Sequence, residues 1–203
     1  MIRSIRAGRR RAVLALGATV LALGGCATRL QPPITGYLCC NLPVQSDIIY
    51  ASNVLGGPVA RLGRPVRIEQ TKRNAYFWGY VGNTYMGFTD DVTPGSRSAT
   101  GAREWLSRIV VPQDPATRLA SWSDDVQRAV RSSRVLVGMT REQVAMALGY
   151  PSAELTPEPA TALSWAYHTM QEEQPLTLQF NPQGRLDRVD GTEDAKALVD
   201  PGR

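Results

Sequence analysis

The 203-residue chain carries a single histidine, His168, and only three cysteines. One histidine does not supply a serine-type catalytic set, and two neighbouring cysteines with no histidine nearby do not make a metal site. A phosphate-binding loop, a dinucleotide fingerprint and a Cys/His ligand cluster are all missing. The paired acids Asp90-Asp91, Asp124-Asp125 and Glu172-Glu173 read as turn, helix-start and loop residues, not as a facing carboxylate pair. No catalytic residue, metal or cofactor is expected, and the chain does not read as an enzyme. An excess of one charge is also lacking once position is considered. Five of the 23 basic residues (Arg3, Arg6, Arg9, Arg10, Arg11) precede residue 12, leaving 18 bases against 18 acids. The basic pI therefore belongs to the leader, and no nucleic-acid-binding face is implied.

What is present begins with that leader. A basic segment ends at Arg11 and an apolar run follows from Ala12 to about Leu23. The run is shorter than the roughly 20 residues of a membrane-spanning helix and fits a signal core. Residues 1–25 are expected to be a cleaved signal peptide. Arg10-Arg11-Ala12-Val13-Leu14 resembles a twin-arginine export core, but any signal peptide needs a basic start, and that plainer reading is preferred. Leu23-Gly24-Gly25-Cys26 resembles the lipobox of bacterial lipoproteins, which implies diacylglycerol on the Cys26 sulfur and an acyl chain such as palmitate on its freed amine. Each buried methylene contributes about 0.8 kcal/mol, so several chains make a lasting membrane anchor. Ala27, in place of aspartate, implies sorting to the outer membrane.

Residues 26–47 read as the lipidated cysteine and a tether, with Pro32-Pro33 and Gly36 within it. Cys39 and Cys40 sit there. A redox switch and an intermolecular bridge are conceivable, but a disulfide between sequence neighbours is strained. Two small, unbridged residues are expected instead.

Residues 48–111 read as a small β-rich domain. Ile48–Tyr50, Pro65–Glu69, Ala75–Val81 and Thr84–Phe88 are short, β-branched and aromatic, with Gly82-Asn83 as a hairpin turn. Leu106–Val111 is expected to add a strand. A half-open, SH3-like sheet fits this pattern. Its aromatics Tyr76, Trp78, Tyr80 and Tyr85 are candidate groove residues for a small molecule or glycan, although at least half are expected in the core.

Residues 120–190 follow the order helix, helix, strand, strand, strand. Ser123 caps a first helix with Asp124 and Asp125 in its opening turn. Thr140 and Gln143 have capping-box spacing, Val144, Ala147 and Leu148 share a face, and Gly149 with Pro151 ends the second helix. Leu163–Thr169 and Leu176–Phe180 alternate, Asn181–Gly184 turns, and Arg185–Val189 forms the last strand. Alternation puts His168 opposite Trp165 and Tyr167, on the solvated face. The fold class expected is α+β, an ααβββ layer of two short helices on a three-stranded antiparallel sheet. Residues 191–203 read as a loose polar tail.

That order and these residues resemble the SmpA/OmlA (BamE-like) family of outer-membrane lipoproteins. The carriers are Val137-Gly138-Met139-Thr140-Arg141-Glu142-Gln143-Val144, Ala147-Leu148-Gly149-Tyr150-Pro151, Trp165-Ala166-Tyr167, and Leu176-Thr177-Leu178-Gln179-Phe180-Asn181 with Gly184. The resemblance covers the C-terminal domain alone. It implies a non-catalytic accessory protein on the periplasmic face of the outer membrane, anchored there by lipid. Its partners would be envelope proteins such as the β-barrel assembly machinery. The alternative is a lipoprotein that binds a small molecule or peptidoglycan through the aromatic β-rich segment.

Overall fold

The computed structural model describes residues 27–72, 75–92, 99–170 and 173–199. The leader, Cys26 and the last four residues lie outside that range. Eight strands form the first sheet: β1 (Thr28–Leu38), β2 (Leu42–Gln45), β3 (Ile48–Tyr50), β4 (Val59–Ala60), β5 (Pro65–Lys72), β6 (Tyr76–Val81), β7 (Thr84–Thr89) and β8 (Val110–Val111). Their order is β4-β2-β3-β7-β6-β5-β1-β8. The pairings are antiparallel except β3 with β7. Alternation decides the faces. In β6, Phe77 and Val81 point to the core while Tyr76, Trp78 and Tyr80 point out. Gly79 between them is obligatory, because a Cβ there would sit 2.1 Å from the Arg67 carbonyl oxygen of β5. The turn at Gly82-Asn83 closes β6 onto β7 with Val81 opposite Thr84, as the sequence predicts.

In the first sheet, two segments depart from expectation. The tether is folded almost from its start: β1 runs from Thr28 and pairs with both β5 and β8. Its register shifts between Arg29 and Ile34, across Pro32-Pro33. The two prolines and the shift interrupt the period-two pattern that would mark a strand. The expected strand at 106–111 is mostly helix: α1 covers Ala99–Ile109 and leaves only Val110–Val111 to β8. Ala102, Leu106 and Ile109 recur at helical spacing and are all buried in the sheet's core with Leu38, Ile68, Phe77 and Phe88.

The C-terminal unit has the expected ααβββ order. After α2 (Ala116–Ala120) come α3 (Asp124–Arg131), α4 (Arg141–Leu148), β9 (Ser164–Tyr167), β10 (Leu176–Phe180) and β11 (Leu186–Asp190). The sheet order is β11-β10-β9, antiparallel throughout. The capping box on α4 is complete: Gln143 N donates to Thr140 Oγ1 at 3.3 Å, and Thr140 N donates to Gln143 Oε1 at 2.8 Å. Ser123 occupies the cap position of α3, but its hydroxyl makes no capping bond. The second core joins Val130, Val144, Ala147 and Leu148 to Trp165, Tyr167, Leu176 and Leu178. The tail is not loose over 193–199. Helix α5 (Glu193–Ala197), capped by Thr192, buries Ala195, and Val199 follows one turn later in the same core. One short apolar pair among polar residues hides that docking in the sequence.

Two buried asparagines join the units. Asn41 Nδ2 donates to Val130 O at 2.6 Å and Ala147 O at 3.2 Å, while its Oδ1 accepts from Leu62 N at 3.1 Å. Asn53 Nδ2 donates to Leu148 O and Tyr150 O at 3.0 and 2.6 Å. Leu55 forms a parallel bridge with Thr169 and is buried in the C-terminal core.

Candidate binding surfaces

The sequence nominates Tyr76, Trp78, Tyr80 and Tyr85, and the structure brings them to one outward face. Tyr80 and Tyr85 are cross-strand partners, with rings meeting edge to face at 5.3 Å. Trp78 stacks on Tyr85 at 5.9 Å, and Gly87, opposite Trp78, leaves room for the indole. Tyr76, Tyr80 and Tyr85 are 45%, 41% and 43% exposed, and Trp78 is half-buried. The expectation that half of them are core fails, because the inward positions already belong to Phe77, Met86 and Phe88. They form a ridge on a sheet face. An ion pair between Arg67 and Glu69 at 3.2 Å lies on the neighbouring strand.

A second surface surrounds Tyr150, just past the end of α4. Gly149 (φ +78°) turns the chain out of the helix, Pro151 is buried, and the Tyr150 carbonyl is held by Asn53. The backbone is thereby fixed while the ring stays 42% exposed, 6.4 Å from Trp165. The ring borders a cleft of about 650 Å³ lined by Arg108, Arg141, Ala145, Pro157 and Trp165. Tyr150 also borders a cleft of about 510 Å³ lined by Cys39, Cys40, Pro115, Arg118 and Met146. Ala145 and Glu142 belong to both. Read from sequence, this stretch yields caps, a buried face and a stop, and gives the Tyr150 ring no role. The signal was an aromatic placed between a C-terminal glycine and a proline, where the helix can no longer bury it.

The side chains around this site are fixed by specific bonds. Arg118 donates twice to Glu142, both at 2.8 Å. The hydrogen bond from Arg118 holds the Glu142 carboxyl below its usual range, and the carboxylate in turn raises Arg118. Arg141 donates to Ala162 O at 2.7 Å and covers the Phe180 ring at 4.8 Å. Beneath, Tyr167 donates to Gly149 O at 2.9 Å, and burial pushes its phenol well above the ordinary tyrosine value. Cys39 and Cys40 are bonded to each other, contrary to expectation. The peptide bonds around them are pinned: Cys39 N donates to Ile109 O at 2.9 Å and Asn41 N to Met146 O at 3.1 Å. That framework holds the two sulfurs side by side.

Among the described residues no group of three or more His, Cys, Asp or Glu side chains is placed to hold a metal ion. His168 follows β9, half-buried, with Nε2 3.9 Å from Glu154 Oε2. Asp124 and Asp125 open α3, as their sequence reading has it. Among the described residues no helix is long and apolar enough to cross a membrane. The proposed lipid-attachment residue, Cys26, lies outside the described residues.

Residues 131–190 match the family model for the outer membrane protein assembly factor BamE domain. The match spans less than a third of the chain. It runs from the last residue of α3 to the last residue of β11, and so coincides with α4, the Tyr150 turn and the three-stranded sheet. This unit is thus similar to the BamE domain of outer membrane protein assembly factors. No curated protein and no solved structure matches the chain.

Proposed function

We propose that the protein is a non-enzymatic lipoprotein held on the periplasmic face of the outer membrane by acyl chains on Cys26. There it binds envelope proteins and supports outer-membrane assembly or integrity. The observation that carries this reading is the BamE-domain match over residues 131–190. The leader ending in Leu23-Gly24-Gly25-Cys26 agrees with it independently. The contact surface assigned is the Tyr150 turn and its two clefts, where an exposed aromatic is backed by rigid structure and ringed by arginines. Aromatic and arginine side chains are the residue types that dominate binding energy at protein interfaces. Chemical crosslinking in intact cells followed by purification of the chain tests the reading. Recovery of an outer-membrane protein or an assembly component is expected, and recovery of no envelope protein would count decisively against it.

A second reading assigns a glycan, such as the sugar strands of peptidoglycan, to the ridge of Tyr76, Trp78, Tyr80 and Tyr85. The observation that favours it is that three of these rings stay more than 40% exposed while stacked against one another. Co-sedimentation with isolated peptidoglycan, lost in Trp78→Ala and Tyr80→Ala, is the expected result. Co-sedimentation unaffected by both substitutions dismisses this reading.

A further inference from the structure

We infer that the end of the first sheet formed by β1, β5 and β6 is docked against the phospholipid headgroups, so that the molecule stands on the membrane in one orientation. This rests on lipidation of Cys26, proposed above. Strand β1 begins at Thr28, so Ala27 alone separates the cysteine from the folded sheet. Two residues span at most about 7 Å even when fully extended. A tether of ordinary length would let this end of the sheet stand clear of the lipid, whereas two residues keep it within about 7 Å of the anchor.

The pairing register says which residues that constraint brings to the surface. Thr28 lies opposite Thr71, and Arg29 opposite Gln70. One position further towards the same end, Lys72 of β5 lies opposite Tyr76 of β6. Arg29, Lys72 and Tyr76 are all exposed. Arg103 of α1, also exposed, covers Phe77, the next residue in from this edge. Cations with an aromatic beside them are the side chains favoured at a headgroup layer, where an amphipathic ring has one apolar and one wet end. Attraction to an anionic surface fades beyond roughly a Debye length, about 10 Å at 0.1 M salt. Arg29, three residues from the anchor, lies within about 11 Å of it along the chain. Among the described residues, Asp90 and Asp91 follow β7, three strands from β1, where Asp91 accepts from Ser52 N and Asp90 is buried, and Glu104 of α1, exposed beside Arg103, shares a cavity with Asp90.

Strand direction sets what faces away. Strand β6 leaves this end at Tyr76 and rises about 17 Å to Val81, at some 3.3 Å per residue. The Gly82-Asn83 turn therefore stands clear of the lipid, and the aromatic ridge climbs away from the headgroups.

Site-specific photocrosslinking of the full, lipidated chain tests this. The protein is reconstituted in vesicles of phosphatidylethanolamine and phosphatidylglycerol, with p-benzoylphenylalanine replacing Lys72, Tyr76 or Asn83. Phospholipid adducts are expected at positions 72 and 76 and absent at 83. A Gly-Ser spacer of about ten residues, inserted after Ala27, has a coil size of roughly 17 Å. It is expected to reduce adducts at 72 and 76 while the protein still sediments with the vesicles. Equal adducts at all three positions, or adducts unchanged by the spacer, overturn the docking while leaving the anchor intact. Failure of the unmodified chain to sediment with membranes overturns the anchor itself, and the docking with it.

Discussion

Asn41 Nδ2 donates to the Val130 carbonyl at 2.6 Å, which ties the segment after β1 to the last turn of α3, 89 residues further along the chain. With its bonds to Ala147 O and from Leu62 N, one buried side chain satisfies three backbone groups, from α3, α4 and the loop between β4 and β5. Asn41→Ala leaves them without that partner in a closed environment. The expected loss is on the order of 2–4 kcal/mol, at roughly 1–3 kcal/mol per stranded polar group with partial relaxation. Urea denaturation measures it, and a midpoint equal to wild type would show that the clasp contributes nothing.

Gly149 and Gly138 differ in what an added side chain would meet. Both have positive φ, +78° and +91°. A Cβ on Gly149 would meet Asn53 Nδ2 and Leu42 Cδ2, each at 2.9 Å, whereas one on Gly138 meets nothing within 4 Å. Gly138→Ala is expected to cost only backbone strain, about 1–2 kcal/mol. Gly149, at ψ 174°, lies in a region open essentially to glycine, and Gly149→Ala also displaces the Asn53 clasp, so it should cost distinctly more. Equal melting temperatures for the two variants would refute the packing argument at Gly149.

Stability should fall at both ends of the pH scale for identifiable reasons. The Glu142 carboxyl is held low by Arg118, so the unfolded chain takes up that proton more readily. The contribution is present above the ordinary glutamate range and is lost as pH falls through the folded value. The pair is exposed, so the effect is small. Arg118→Ala should slightly flatten the acid limb of a stability-against-pH curve, and a steeper limb would contradict this.

Tyr167 acts at the other end. Burial raises its phenol, so its contribution is complete below about pH 10, the ordinary tyrosine value. It is lost as pH rises towards the folded value, because the unfolded chain ionises first. Tyr167→Phe should cost about 1 kcal/mol at neutral pH, by stranding the Gly149 carbonyl, and should weaken the alkaline decline. Thermal melts from neutral pH to above 10 check both parts.

The C-terminal unit was readable because its signals are local. Thr140, Gln143 and Gly149 fix the ends of α4 within a few residues, and Trp165, Tyr167, Leu176 and Leu178 alternate cleanly. The N-terminal sheet was less readable because its decisive contacts are distant. Strand β1 looks unstructured until β5, some 35 residues on, supplies its partners. Leu106 and Ile109 have strand-like chemistry, and only the sheet beneath makes them one face of a helix. The four aromatics of the ridge were legible as a group, but not their exposure, since Phe77, Met86 and Phe88 compete for the same core. Tyr150 was legible as part of a stop signal, whereas its place in the lining of both clefts depends on Pro115, Arg108 and the loop at 157–161, which no short window contains.

Anchoring has its own test. Cys26→Ser should move the protein from the membrane to the soluble periplasmic fraction, since about 0.8 kcal/mol per buried methylene is lost along every acyl chain. Unchanged membrane fractionation of that variant would refute the lipid anchor.

The central claim is that the BamE-like unit docks envelope proteins, and photocrosslinking from position 150 in living cells tests it most directly. With p-benzoylphenylalanine in place of Tyr150, the account predicts a discrete adduct containing an outer-membrane protein or an assembly component, absent when the same group replaces exposed Asn83. No adduct at 150, or identical adducts at both positions, would contradict it.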